Sequence, residues 1–275
     1  TDDFGAMFRE AKYPLWHANL SARRALRRGV PATLSGTPQY NLHFQDIDFQ
    51  IESDFIGLMS PGLPVASNEL SFRAGRVINH ADGIYGGMII SAMYGAAFFE
   101  EDPEQIVRNG LAVLPATSDY AQLIKDVLQW QQQTPTDWQS VWQKIHEKWN
   151  QGEMCPEGSL EVFNIDAKIN GAYVALGLLY GGSNFERTMV IATRAGQDSD
   201  CNPSSALGIL GVMKGYKNIP VNFTKGIDDI ANEKFLYTDY SFNKIVSSTF
   251  ERAIALIKQN GGYVKEDNAY VARQE

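Results

Sequence analysis

Two stretches of this chain, Tyr85–Phe99 (YGGMIISAMYGAAFF) and Gly171–Tyr180 (GAYVALGLLY), are apolar on every side and rich in Gly and Ala. A helix apolar all round has to be enclosed by other elements, and its small residues let neighbouring backbones come close. A chain with two such segments must wrap the rest of itself around them. The longest apolar run, Ile84–Phe99, has 16 residues, includes three glycines and meets Glu100. That is short of the roughly 20 residues a spanning helix needs, so it reads as a buried helix and no membrane partner is expected.

The enclosing elements also read as helices. In residues 120–133, Leu123, Ile124, Val127 and Leu128 form one stripe, with Ser118 or Asp119 available as N-cap. Trp138, Val141, Trp142, Ile145 and Trp149 repeat at helical spacing after Thr136 and Asp137, either of which can cap, and the tryptophans are expected in the core. Phe242, Ile245, Val246, Phe250, Ala253, Leu256 and Ile257 predict a third helix, started by Ser241 and stopped at Asn260-Gly261. Strand alternation is scarce; its best candidate, His43–Phe49, also reads as a helix start. Neither a repeat nor a linker divides the 275 residues, which suffice for one large domain at about 100–200 residues per domain. We expect one all-α domain.

Composition excludes some functions. Hydrophobic residues make up 44% of the chain, so disorder is not the main state, and a net charge of −8 argues against tracking phosphates of nucleic acid. The two cysteines, Cys155 and Cys201, fix neither a disulfide nor a compartment. No GxGxxG, Walker-type loop or GxSxG elbow occurs, and none of His17, His43, His80 and His146 lies within five residues of another, which removes the usual signature of a His-rich zinc site. Asn19-Leu20-Ser21 and Asn222-Phe223-Thr224 fit the glycosylation sequon.

The sharpest feature is Gly196-Gln197-Asp198-Ser199-Asp200-Cys201-Asn202-Pro203. Asn202 is a natural N-cap and Pro203 a natural first helical residue, so a helix is expected from here on. Asp198 and Asp200, two apart in an extended loop, can converge on one hard cation, for which magnesium is the natural candidate. They can equally complement the dipole of the helix they feed. Upstream, Asp46, Asp48 and Glu52 form an acidic cluster in which Asp48 and Glu52 share a helix face at i, i+4. Such a pair is either a solvated acidic face or a site that shares a cation or a proton.

Residues 171–216 resemble the ADP-ribosylglycohydrolase family, in which a glycine-flanked DxDT before a Gly/Ala-rich helix supplies half of a dinuclear magnesium site. Ile78-Asn79-His80-Ala81-Asp82-Gly83-Ile84-Tyr85-Gly86-Gly87 is similar to the family's His-containing pocket segment, and residues 50–64 to its preceding helix and loop. The resemblance implies a compact, orthogonally packed all-α domain with two Mg2+ ions. It implies a hydrolase that cleaves the glycosidic bond of an ADP-ribosyl or related ribosyl group on a small molecule or protein; a cytoplasmic location is a separate expectation. Asp198 and Asp200 would bind metal; His80, Asp82, Tyr85, Gly86, Gly196 and Gln197 would contact substrate; Asp48 or Glu52 would be the catalytic carboxylate.

Three departures stand out. Cys201 replaces the DxDT threonine, and a thiol is a poorer ligand for a hard cation. The family's N-terminal metal half would precede Thr1, so the N-terminal portion is expected to be missing, and Thr1-Asp2-Asp3 reads more simply as a capped helix start. Ile56-Gly57-Leu58-Met59-Ser60 replaces a Met-Arg loop. These departures support an alternative: a non-catalytic member kept for ligand binding or as a structural protein, like the family's lens crystallin relatives.

Overall fold

The computed structural model describes residues 1–150 and 165–274, and within them the all-α expectation is met. The helices are α1 (Asp2–Glu10), α2 (His17–Arg27), α3 (Asp48–Glu52), α4 (Asp54–Met59), α5 (Pro64–Gly75), α6 (Asp82–Ala96), α7 (Pro103–Ala112), α8 (Asp119–Gln133) and α9 (Trp138–Trp149). After them come α10 (Ala167–Gly181), α11 (Phe185–Arg194), α12 (Cys201–Lys214), α13 (Val221–Thr224), α14 (Ile227–Ile230) and α15 (Phe242–Gln259). A short antiparallel hairpin, β1 (Tyr263–Lys265) and β2 (Asn268–Tyr270), closes the described chain with Tyr263 opposite Tyr270. Both strands are exposed on both faces, so no alternation marks them in the sequence.

The two apolar stretches are α6 and α10, and both are buried along nearly their whole length. Around them α7, α8, α9, α11 and α12 complete the main core, in which residues such as Ile89, Ile124, Val127, Tyr173 and Ile209 are sealed from solvent. Each large aliphatic side chain enclosed there contributes about 1.5–3 kcal/mol. Glycine makes the close approaches possible: a Cβ on Gly208 would run into the Tyr94 hydroxyl, and one on Gly177 would lie 3.0 Å from the Ala192 Cβ. A second, smaller core joins α1 and α2 to Phe49, Ile56, Val77 and Ile78.

The amphipathic helices start where their capping residues stand. The Ser118 hydroxyl accepts from the Ala121 N–H, Asp137 from Ser140 and Ser241 from Lys244. Gly261, at φ +84, takes the left-handed conformation that ends α15. Among the described residues no helix is long and apolar enough to cross a membrane.

Several expectations change. The tryptophans of α9 sit half-buried at the rim of the main core rather than within it, where the indole N–H of Trp142 donates to the Ala195 carbonyl and that of Trp149 to Asp126. Phe242, Ile245, Val246 and Phe250 of α15 are exposed, and only Ala253 and Ile257 of that helix are buried. Ile56–Met59 belong to helix α4 instead of a loop, because Gly57 fits closely against the backbone of Ser91. Thr1 precedes α1 as expected, but its hydroxyl donates to the Arg73 carbonyl and caps nothing. Asn19 is buried and bonded through its side chain, so it offers no glycosylation site. Cys201 is a free thiol, and Cys155 lies outside the described residues.

Candidate active site

Five helix N-termini meet at one end of the main core. The loop before α3 is stitched to the loop before α6, where the His80 N–H donates to the Phe44 carbonyl at 2.9 Å. It is stitched to the start of α10 by Ala167 N–H to Gln45 and by Ile47 N–H to Ile165, each at 3.0 Å. Asn79 fastens the same loop from below, its amide donating to the Phe44 and Asp46 carbonyls while its oxygen accepts from the Phe49 N–H. The first turn of α2 comes in from the side through His17 and Asn19, and α12 joins from α10. Each N-terminus carries roughly half a positive charge, so their meeting favours negative groups, whether side chains or a bound phosphate.

Carboxyl groups are what the chain places there. Asp48 and Glu52 lie one turn apart on α3, as the spacing implies, but they form no solvated face. Asn19 holds both: its backbone N–H donates to Asp48 Oδ1 at 2.9 Å and its amide to Glu52 Oε1 at 2.6 Å. Burial, reinforced by the neighbouring acids, pushes Asp48 up to about 6 and Glu52 up to about 8. Gln50 between them turns the other way; its amide nitrogen meets the Ala167 carbonyl and the Tyr120 hydroxyl, and its oxygen meets the Gly171 N–H. α3 is thereby locked to α8 and α10.

The loop before α12 brings Asp198, Asp200 and Cys201 together, with ligand atoms all within 4.8 Å of one another. The helix begins at Cys201, ahead of the expected Asn202 start, because the Asp198 carboxylate accepts from the Cys201 N–H at 3.1 Å. Asp198 is raised by its partial burial and by its contact with the Asp200 carboxyl. Burial and then Asp198 push the Cys201 thiol up to about 12, with smaller contributions from Asp200 and Asp48, so Asp48 stands within electrostatic reach of this loop.

Asn170 organises the loop. Its oxygen accepts from the Asp198 N–H and the Asn202 amide, and its amide donates to the Gln197 Oε1 and the Asp166 carbonyl. Gly196 and Gln197, at φ +92 and +54, make the turn. Asn19 stands out in the sequence only as a glycosylation sequon, which is the wrong signal, and Asn170 only as a polar residue entering an apolar helix.

The other predicted residues line the start of α6. His80 is exposed beside the Phe44 ring. Asp82 is buried and raised to about 6, mainly by burial, with the Lys168 ammonium opposing and Asp166 reinforcing. Tyr85 is half-buried against the main core, and Gly86 is packed on the Gln50 side chain.

For a hard cation, the Asp198 and Asp200 oxygens fit and the Cys201 thiol, a soft sulfur donor, does not. The buried Asn202 oxygen, which has no hydrogen-bond partner, is a further oxygen donor beside that loop. A cavity of about 1000 Å3 lies elsewhere, lined by Pro64, Phe72, Met88, Phe99 and the Val271–Arg273 tail. Comparison with curated proteins and with solved structures finds no match. The family model for ADP-ribosylglycohydrolase, however, matches residues 3–253, well beyond the segment whose motifs carry the resemblance, and the chain belongs to that family.

Proposed function

We propose that this chain is a magnesium-dependent hydrolase that cleaves the glycosidic bond of an ADP-ribosyl or related ribosyl group. The observation that carries the proposal is the gathering of Asp198 and Asp200 on one loop, with Asp48 in electrostatic reach. Asp198 and Asp200 would hold the ion, which when bound supplies positive charge for ribose hydroxyls and a water. The converging helix N-termini suit the pyrophosphate. Asp48, ionised at neutral pH, takes the proton of the attacking water, and Glu52, still protonated at pH 7, gives its proton to the departing group. Asn19 keeps the pair aligned while positive charge develops at the ribose carbon. Exposed His80 is the substrate contact we assign at the rim, with Gln197 at the loop.

A soft thiol, Cys201, beside the two carboxylates favours a second reading, a member that binds ADP-ribose without turnover. Calorimetric titration with magnesium and ADP-ribose, run beside a hydrolysis assay on an ADP-ribosylated peptide, separates the two. Turnover that is lost in Asp198→Asn supports the hydrolase; binding without turnover supports the second reading. For the hydrolase, the rate should rise as Asp48 ionises near pH 6 and fall as Glu52 ionises near pH 8. His80→Ala should weaken ADP-ribose binding while stability stays within about 1 kcal/mol, because an exposed contact is not a core contact.

A further inference from the structure

His17 and His43, far apart in sequence, face the same carboxylate. His43 Nδ1 lies 2.8 Å and His17 Nδ1 3.5 Å from Asp46 Oδ2, and the three ligand atoms all fall within 4.8 Å of one another. The two rings meet edge to face at 5.4 Å. In a tetrahedral site with bonds of about 2.0–2.1 Å, ligand atoms stand about 3.3 Å apart, a value the two measured distances bracket. We propose that His17, His43 and Asp46 bind a zinc-type transition metal ion through two imidazole nitrogens and one carboxylate.

The chemistry of the set differs from that of the Asp198 loop. Imidazole nitrogens favour zinc and its neighbours over magnesium, whereas the all-carboxylate loop favours a hard cation. The site is built in advance. Asp46 is fully enclosed, its backbone clamped by the Asn79 amide and by pairing with Asp166, and the His43 N–H is held by the Asn41 side chain. Rigid ligands and ordered outer contacts are what a metal site needs. His17 takes φ +42 at the start of α2, a strained value for a residue with a Cβ, and this turns its ring toward Asp46. Its side chain remains 41% exposed, which leaves the ion a route in from solvent. On binding, His43 offers the metal its Nδ1 lone pair as the neutral tautomer, with its ring proton on Nε2, and the hydrogen bond to Asp46 Oδ2 gives way to ligation by both atoms. The bound ion would sit beside Asp48, which already feels both His17 and Asp46.

The test is zinc titration of the chelator-treated, full-length protein by calorimetry, with cobalt absorption as a second readout of tetrahedral nitrogen and oxygen ligation. His17→Ala is the main variant because its side chain is the more exposed of the two imidazoles, and its melting curve, taken beside the titration, shows that the variant is folded. Losing an outer-shell contact alone costs about 10–100-fold in affinity, so losing this ligand should cost at least about 10-fold. The expected result is one zinc equivalent that His17→Ala and His43→Gln lose and Cys201→Ser retains. No zinc binding in the wild type overturns the proposal and leaves a plain His–Asp contact; so does zinc binding that Cys201→Ser loses and His17→Ala keeps.

Discussion

Asp48 and Glu52 are two carboxyl groups one turn apart in a setting that resists their charge, and this has a measurable consequence. A carboxyl whose pKa is raised in the folded chain keeps its proton there after the unfolded chain has lost it. Between the ordinary carboxylate range and about 8, the folded state therefore binds more protons, and stability falls as pH rises. Glu52→Gln removes the titration and keeps the shape. In magnesium-free buffer the variant should match the wild type near pH 4 and exceed it above pH 8, by on the order of a few kcal/mol. Melting curves taken across that range check this; parallel pH dependences would show that Glu52 does not titrate as a buried acid. At the same scale Asn170 is the hub of the Asp198 loop, with bonds to Asp166, Gln197, Asp198 and Asn202. Asn170→Ala should cost about 2 kcal/mol or more, since it leaves buried partners unsatisfied. Calorimetric unfolding measures that loss, and an unchanged transition would remove Asn170 from this role.

Among the elements, α6, α10 and α12 come close to α3, α11 and α6 respectively through glycine. A side chain at Gly86 meets Gln50, at Gly177 Ala192 and at Gly208 Tyr94. Replacing any one of them with Leu should lower stability by more than about 1 kcal/mol and the melting temperature by several degrees, because the crowded atoms belong to packed helices. Near-wild-type melting in all three variants would mean that these helices are not the centre. Such elements were legible in the sequence because each repeats a physical signal: all-round apolarity in α6 and α10, helical period and capping residues in α8, α9 and α15. The short helices left a weaker trace: the Asp48–Glu52 spacing and a helix start at His43–Phe49 marked α3, but no period marked the extent of α3 or of α4. α3 and α4 span less than two turns each, too little for a period to register, and β1 and β2 bury neither face. The site divides the same way. Asp198 and Asp200 stand in a local pattern, and the spacing of Asp48 and Glu52 places them on one face. Asn19, Asn170 and the His17–His43 meeting depend on contacts between distant segments, which leave no spacing to read.

At the scale of the whole molecule, the chain carries a net charge of −8, and several of its carboxyl groups are held at one end of the main core. Helix N-termini offset part of that repulsion, but Asp198 and Asp200 still face each other, and the contact adds to the burial that raises Asp198. A divalent cation resolves this more fully than a shared proton, since it satisfies both carboxylates and is absent from the unfolded chain's interactions. Folding and magnesium binding should then be linked by mass action. At a magnesium concentration about 100 times the dissociation constant the gain is about 2.7 kcal/mol, or about 5–10 °C in melting temperature for a chain of this size. Asp200→Asn should abolish the rise, and chelation should reverse it in the wild type. Cys201→Thr should keep or enlarge it, because a hydroxyl replaces a thiol that a hard cation does not take up. A wild type indifferent to magnesium, together with a zinc response that disappears when Cys201 is replaced, would make the Asp198 loop a soft-metal site and take the magnesium-dependent mechanism away.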